Sequence, residues 1–160
     1  MFIIFKLYMS SSKNDQPEIN MMSLVDNKEK EKVNRPKIDF TKVEFTQKEK
    51  ELVRKEVEVI KEKYPNYIPI IVRPKDRSIE LVRYKFLVGA EVTIGQLLCI
   101  IRKKIKNLQS SEALFLLVNN ILVPSTHSLS LVYKQQLDEE TNMLFFTLCK
   151  ESTFGNLVKN

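Results

Sequence analysis

The sequence is poor in the residues on which metal sites and catalytic triads depend. It has one histidine, His127, and two cysteines, Cys99 and Cys149. Nothing near His127 supplies the two or three further ligands or partners that such sites need. The cysteines are far apart, form no C-x-x-C pair and lie in apolar patterns, so we expect two buried, reduced thiols in a cytosolic protein. An enzyme is the least favoured class, and we expect no metal and no cofactor.

The sequence also lacks any run of about 20 apolar residues, the length that a membrane-spanning helix requires. Hydrophobic residues make up 43% and charged residues 29% of the chain, as in a soluble globular protein. A length of 160 residues favours one core with appendages over two full domains. Any contact with a membrane must therefore come from outside the folded core.

The net charge of +6 is spread along the chain and interleaved with acidic residues, as in residues 48–51. This mixing is typical of a solvated helix face rather than of a nucleic-acid interface, where basic residues cluster. We therefore expect no nucleic acid as a partner. A basic surface would still favour approach to anionic lipid or acidic peptides.

The N-terminal quarter is predicted to differ from the rest of the chain. Residues 2–8 are apolar but lack the basic flank of a secretory signal, and a start site at Met9 is as consistent with them as a function. Residues 10–37 are polar and charged, which predicts a disordered arm. We divide the chain into a disordered arm (residues 1–40), a domain with an N-terminal helical extension (41–150) and a flexible tail (151–160).

Two helices are indicated by matching start signals. Thr46 and Glu49 form a capping-box pattern, and so do Thr93 and Gln96. The first helix should end before Pro65, and the second should reach Ile105. The first apolar stripe comprises Leu52, Val53, Val57, Ile60 and Tyr64, and the second comprises Ile94, Leu97, Leu98, Ile101 and Ile105. Ile100 falls outside the second stripe and calls for another explanation.

Four strands are predicted around the second helix. They span residues 68–72, 84–88, 114–118 and 143–148, and a short helix over residues 128–136 precedes the last of them. The order strand, strand, helix, strand, short helix, strand indicates an α+β fold of the β-grasp type. In a four-stranded mixed sheet, the outer strand of the first hairpin should be a free edge.

At this point several motifs, in one collinear order, resemble the autophagy ubiquitin-like modifiers of the GABARAP type. They are Ile68-Pro69-Ile70-Ile71, Lys85-Phe86-Leu87-Val88, Val92-Thr93-Ile94-Gly95-Gln96-Leu97, residues 101–105, residues 113–119 and Glu151-Ser152-Thr153-Phe154-Gly155. The resemblance spans residues 45–155. It implies a ubiquitin-like core with additional N-terminal helices. It also implies, as partners, a processing cysteine protease, activating and conjugating enzymes, and phosphatidylethanolamine as covalent acceptor.

The tail carries the residues that this chemistry would use. Phe154 offers an apolar anchor, and Gly155, which has no Cβ, lets catalytic groups approach its carbonyl closely. Because Asn156 and four more residues follow, the chain would have to be cut after Gly155 before conjugation. The resemblance implies a cytoplasmic protein that joins autophagosomal or vesicle membranes after lipidation.

The resemblance also implies a docking face for receptor or adaptor proteins with short acidic, aromatic and aliphatic motifs. An extended peptide would pair with the free edge of the sheet. One pocket, for an aromatic side chain, would be formed by Glu56, Ile60, Pro69, Ile71, Lys85, Leu87 and Met143. A second, for an aliphatic side chain, would be formed by Phe86, Val88, Val92, Leu97 and Ile100. Arg83 and Lys85 would attract the acidic residues of the peptide.

Two other functions stay open at this point. The chain could be a ubiquitin-like interaction domain that is never conjugated, or a basic structural protein that binds cytoskeleton or nucleic acid. For most of the pocket residues, core packing is the alternative to peptide binding.

Overall fold

The computed structural model describes residues 3–5, 38–42 and 44–151. The helices are α1 (Gln47–Lys63), α2 (Ile94–Arg102) and α3 (Leu129–Gln136). The strands are β1 (Ile3–Phe5), β2 (Tyr67–Pro74), β3 (Glu80–Leu81), β4 (Lys85–Gly89), β5 (Ile105–Lys106), β6 (Leu114–Val118), β7 (Ile121–Leu122) and β8 (Leu144–Lys150). Within these ranges, no helix is long and apolar enough to cross a bilayer.

The main sheet is mixed, with the strand order β1-β4-β2-β8-β6-β7. Strand β2 lies at its centre, antiparallel to β4 and parallel to β8. Strand β6 is antiparallel to β8 and to β7. Strands β3 and β5 form a separate two-stranded sheet.

Each face of the main sheet packs against its own apolar core. Because side chains alternate along a strand, Ile70 and Val72 of β2 enter the main core, which also contains buried residues of α2 and α3. Ile71 points the other way and joins Val53 and Val57 of α1 in a smaller second core. Both faces of β2 are thus covered, as the continuous apolar run predicted.

Both predicted capping boxes are confirmed. In the first, the Thr46 N–H donates to Glu49 Oε2 at 2.8 Å, and the Glu49 N–H donates to Thr46 Oγ1 at 3.3 Å. The second has the same reciprocal bonds between Thr93 and Gln96, at 3.0 and 3.3 Å. Two donors that a helix start leaves unpaired are satisfied each time, so both helices begin at the predicted residues.

The second helix is shorter than predicted. It ends at Arg102, and Ile105 belongs instead to β5, where it pairs with Leu81 of β3. Ile105 still packs against the main core, so its apolar character fitted either structure. The expectation for Ile100 was wrong as well: it is 4% exposed and lies in the main core, whereas Leu98 is only partly buried. The buried arc of α2 is therefore rotated toward Ile100.

The expected four strands and free outer edge also need correction. Strand β1 pairs with β4 in parallel, and β7 adds to β6 on the other side, which makes six strands. Within the arm predicted over residues 1–40, the structure describes a strand at Ile3–Phe5, and Ile38 and Phe40 pack against the second core. Among the described residues, one helix, α1, precedes β2, where several were expected.

The two cysteines differ in environment. Cys149 is buried in β8, as expected, and burial raises the pKa of its thiol. Cys99 is exposed on α2, so the expectation of two buried thiols holds for Cys149 alone.

Val57 and Val59 provide a matched test of the second core, because both lie on α1. Val57 is 0% exposed and Val59 is 64% exposed. Val57→Ala should lower the free energy of unfolding by about 2 kcal/mol, from two lost methyl groups and the cavity left behind. Val59→Ala should be neutral or slightly stabilising, because alanine has the higher helix propensity. Urea unfolding checks this, and equal losses for both variants would contradict this packing of α1.

Candidate functional site: a strand edge and the base of the tail

The hydrogen-bond pattern of β4 determines which of its backbone groups face β2. The Val72 N–H donates to the Tyr84 carbonyl at 2.8 Å, and the Ala90 N–H donates to the Asn66 carbonyl at 2.9 Å. In an antiparallel pair, hydrogen-bonded and non-hydrogen-bonded pairs alternate along the ladder. Both bonds lie in register with the pairing of β2 and β4, so the even-numbered residues of β4 direct their N–H and C=O groups toward β2.

The odd-numbered residues of β4 therefore present their backbone to the opposite side. These are Lys85, Leu87 and Gly89. Pro69 fits this pattern, since it lies opposite Leu87 at a position where β2 needs no N–H donor toward β4. The three odd-numbered residues form the edge at which a further strand can pair; we call it the β4 edge.

The structure brings much of the predicted aromatic pocket together on the α1 side of the sheet. Pro69 lies opposite Leu87, and Ile71 lies opposite Lys85, so all four share one face. Ile71 and Met143 are buried in the second core. The remaining members are Glu56 of α1, whose Oε1 accepts a bond from Lys85 Nζ at 2.9 Å, and the half-buried Ile60.

Three residues that the sequence analysis did not single out complete this region. Phe40 packs against the second core, and Lys85 Nζ lies 4.3 Å from the centroid of its ring. Arg73 Nε donates to the Phe40 carbonyl at 3.0 Å, and the Arg73 guanidinium lies 5.3 Å from the ring centroid of Phe45. Burial lowers the pKa of the Arg73 guanidinium. The available signal in the sequence was a pair of phenylalanines, Phe40 and Phe45, just before the first capping box.

The predicted aliphatic pocket is part of the main core. All five of its members are at most 5% exposed: Phe86, Val88, Val92, Leu97 and Ile100. The structure brings these five residues together in the packed core. Their role as a peptide pocket stays a prediction. An open cavity of about 550 Å³ lies elsewhere, at the far end of β2, and includes Arg73, Lys75 and Arg77 in its lining. None of the predicted docking residues lines that cavity.

The charged residues predicted beside the edge differ in exposure. Arg83 is exposed and lies two residues before the start of β4, whereas Lys85 is partly buried by its contacts with Glu56 and Phe40. Arg83 is thus the residue better placed to attract an acidic partner at long range. In the described ranges, no three His, Cys, Asp or Glu side chains group as metal ligands.

Two contacts hold the end of β8 at Lys150 and Glu151, which we call the base of the tail. Lys150 Nζ donates to Glu112 Oε1 at 2.9 Å, and the Glu151 N–H donates to the Ala113 carbonyl at 3.1 Å. The Lys150 side chain and the Gln109 N–H both hydrogen-bond to the Glu112 carboxylate, and together they lower its pKa. The chain is therefore fixed at residues 150 and 151, close to the predicted cleavage site. Phe154, Gly155 and Asn156 lie outside the described residues.

Arg102 holds the other side of this base. Its guanidinium donates to the carbonyls of Glu112 and Gln109, each at 2.7 Å, and to that of Ser110 at 2.9 Å. One side chain thus satisfies three carbonyls in the turn that leads into β6. This turn carries the carboxylate that binds Lys150, so the end of α2 positions the start of the tail.

Comparisons with known proteins agree with this architecture. The family model described as "Autophagy protein Atg8 ubiquitin like" matches residues 52–155. Autophagy-related protein 8d of Arabidopsis thaliana is 40% identical over 98 residues, which cover 60% of this chain and 80% of that protein. Autophagy-related protein 8c of the same plant is 39% identical over 108 residues, 65% of this chain and 89% of that protein.

A solved structure provides the comparison of folds. The crystal structure of Trypanosoma brucei ATG8 matches with a TM-score of 0.60 and 28% sequence identity, over 74% of this chain and 100% of that one. The matched family segment begins inside α1 and ends at Gly155. Strand β1, Phe40 and Phe45 precede it.

The base of the tail can be tested through the Glu112 carboxylate. Its pKa, followed by side-chain NMR during an acid titration, should lie below the ordinary value for glutamate. Lys150→Ala should raise it, though only part of the way, because the Gln109 N–H still bonds to the carboxylate. Lys63→Ala, on α1, is the control and should leave it unchanged. Because the folded-state pKa is lowered, the stabilisation is present above the unfolded-state pKa and is lost as the pH falls through the folded-state pKa. An unchanged pKa in Lys150→Ala would contradict the ion pair.

Proposed function

Because the chain belongs to the Atg8 family of ubiquitin-like autophagy proteins, we propose that it is cut after Gly155 and joined through that glycine to phosphatidylethanolamine. The family makes it an autophagy modifier and not itself an enzyme. In the proposal, a cysteine protease hydrolyses the amide between Gly155 and Asn156. An activating enzyme adenylates the new carboxylate with ATP, a cysteine thiol displaces AMP, and the lipid amine finally displaces that thiol.

One observation carries this proposal: the family match ends at Gly155, while five residues follow it. The base at Lys150 supports it, because the tail starts from a fixed point. Five residues from 151 to 155 can span at most about 17 Å when extended. That length is enough to place the Gly155 carbonyl in an enzyme cleft while the domain stays outside.

The proposed lipid would be a sufficient anchor. Each buried acyl CH₂ contributes about 0.8 kcal/mol, and a single chain binds a membrane only marginally. Phosphatidylethanolamine brings two chains at once, so the modified protein would stay on autophagosomal or vesicle membranes, and the unmodified protein in the cytoplasm.

We also propose that the membrane-bound form docks receptor and adaptor proteins at the β4 edge. The outward backbone groups of Lys85, Leu87 and Gly89 supply hydrogen bonds for an added strand. The α1 side of the sheet would supply the accessible contacts through the Lys85–Glu56 pair and half-buried Ile60. Ile71 and Met143 are buried beneath them in the second core. Exposed Arg83 would favour peptides with acidic residues beside their apolar anchors.

Gly155→Ala should abolish both cleavage and lipidation, because a Cβ obstructs the close approach that acyl transfer needs. A chain ending at Phe154 should also stay unmodified, whereas a chain ending at Gly155 should become lipidated without the protease. Asn156→Ala is the control and should be processed normally. Intact mass of protein recovered from cells measures each result. Wild-type protein that keeps residues 156–160 and never partitions with vesicles would be a non-conjugated interaction domain, and the proposal would be wrong.

Arg83→Glu should weaken docking of an acidic peptide by about tenfold, mainly by slowing association, since a charge at the rim acts at long range. Lys134→Glu makes the same charge change on α3, at an exposed position on the other side of the sheet, and should have a much smaller effect. Stopped-flow association rates at two salt concentrations separate the two variants. Equal effects would mean that only net charge matters and would refute docking beside Arg83.

A further inference from the structure

The β4 edge is already paired in this structure. Strand β1 lies parallel to β4, with Ile3 opposite Phe86, Ile4 opposite Leu87 and Phe5 opposite Val88. Only one strand can pair with an edge at a time. We propose that Ile3–Phe5 is an internal ligand of the chain's own docking edge, which a partner peptide must displace. The displacement rests on the proposed docking function; the internal pairing does not.

The register determines which backbone groups make the pairing. Leu87 directs its N–H and C=O away from β2, so in the parallel ladder it bonds to the residues on either side of Ile4. Its N–H meets the Ile3 carbonyl, and its carbonyl meets the Phe5 N–H. Ile3 and Phe5 therefore turn their N–H groups toward β4, whereas the Ile4 N–H points away from it. This difference makes adjacent positions usable as test and control.

A second observation, from a different part of the chain, points the same way. Phe40 packs against the core that contains Ile71 and Met143, and its ring lies under the Lys85 ammonium. Ile71, Met143 and Lys85 belong to the pocket predicted for a partner's aromatic side chain. The chain thus places its own strand on the edge and its own aromatic ring beside the pocket. Both precede the segment that matches the family model.

The connection between the two is long enough. Residues 6–37, 32 in all, separate β1 from Ile38. Fully extended they could span about 100 Å, far more than one small domain. A tethered ligand acts at an effective concentration of the order of 1 mM. If the free segment binds with a Kd of about 0.1 mM, a competing peptide would bind the intact chain roughly tenfold more weakly.

The test compares full-length chains that differ at neighbouring positions. Phe5→Pro removes an N–H that faces β4, whereas Ile4→Pro removes one that faces away and is the matched control. A variant that begins at Met9 removes the strand altogether. The probe is a labelled synthetic peptide, Glu-Glu-Glu-Trp-Glu-Glu-Leu, whose odd spacing puts Trp and Leu on opposite faces of a strand. Fluorescence anisotropy measures its Kd for each chain.

We expect the probe to bind Phe5→Pro and the Met9 variant about tenfold more tightly than it binds the wild type or Ile4→Pro. A synthetic peptide of residues 1–8 should bind the Met9 variant, and N-methylation at Phe5 but not at Ile4 should abolish that binding. Equal affinities of the acidic probe for all four chains would overturn the displacement. Failure of the 1–8 peptide to bind would overturn the internal pairing.

Two further outcomes distinguish the proposals from each other. If the 1–8 peptide binds the Met9 variant but the acidic probe binds none of the chains, the internal pairing is supported and peptide docking is overturned. If light scattering finds a dimer and the probe's Kd rises with protein concentration, the strand comes from a second copy, and the pairing is not internal.

Discussion

The architecture depends on β2 having a neighbour on each side and a core on each face. Its five residues from Ile68 to Val72 are all buried, which only a central strand permits. Strand β2, near the start of the domain, pairs in parallel with β8 at its end. Helices α2 and α3 cover one face of β2, and α1 covers the other. Pro69 is compatible with this position because it precedes the register with β8, which begins at Ile70. A proline at the neighbouring position of β2, whose N–H faces β4, would have removed a hydrogen bond of the sheet.

The same constraint decides what the docking face can be. Since the even-numbered residues of β4 bond to β2, the outward backbone belongs to Lys85, Leu87 and Gly89. The side chains of Phe86 and Val88 are buried in the main core, and the aliphatic pocket expected from them stays a prediction. Discrimination between partners would then fall on the α1 side, where Lys85, Glu56 and Phe40 meet.

The sequence predicted features that are local and chemically specific. Each capping box needs two side chains three residues apart, and both were placed correctly; β6 was predicted to the residue over 114–118. Strands of two or three residues were missed, because they are too short to show a period. Strands β1, β3 and β5 depend in addition on a partner distant in sequence. The roles of Phe40 and Arg73 were missed for the same reason: each depends on a contact across about 30 residues. Ile105 shows the limit of periodicity, since it packs on the core from a strand as well as it would from a helix.

The division between the family segment and the residues before it has a physical consequence. The segment from α1 to β8 supplies the β4 edge and the second core. The preceding residues supply a strand paired with that edge and an aromatic ring packed against that core. Pairing over three residues is small and uses only backbone, so it tolerates many sequences and gives little affinity by itself. The tether compensates by keeping the strand close. A ligand that is weak but always present can yield to a partner that fills both edge and pocket, while it excludes one that offers only an extended backbone. Pairing of the β4 edge with the chain's own strand would therefore select partners by their side chains.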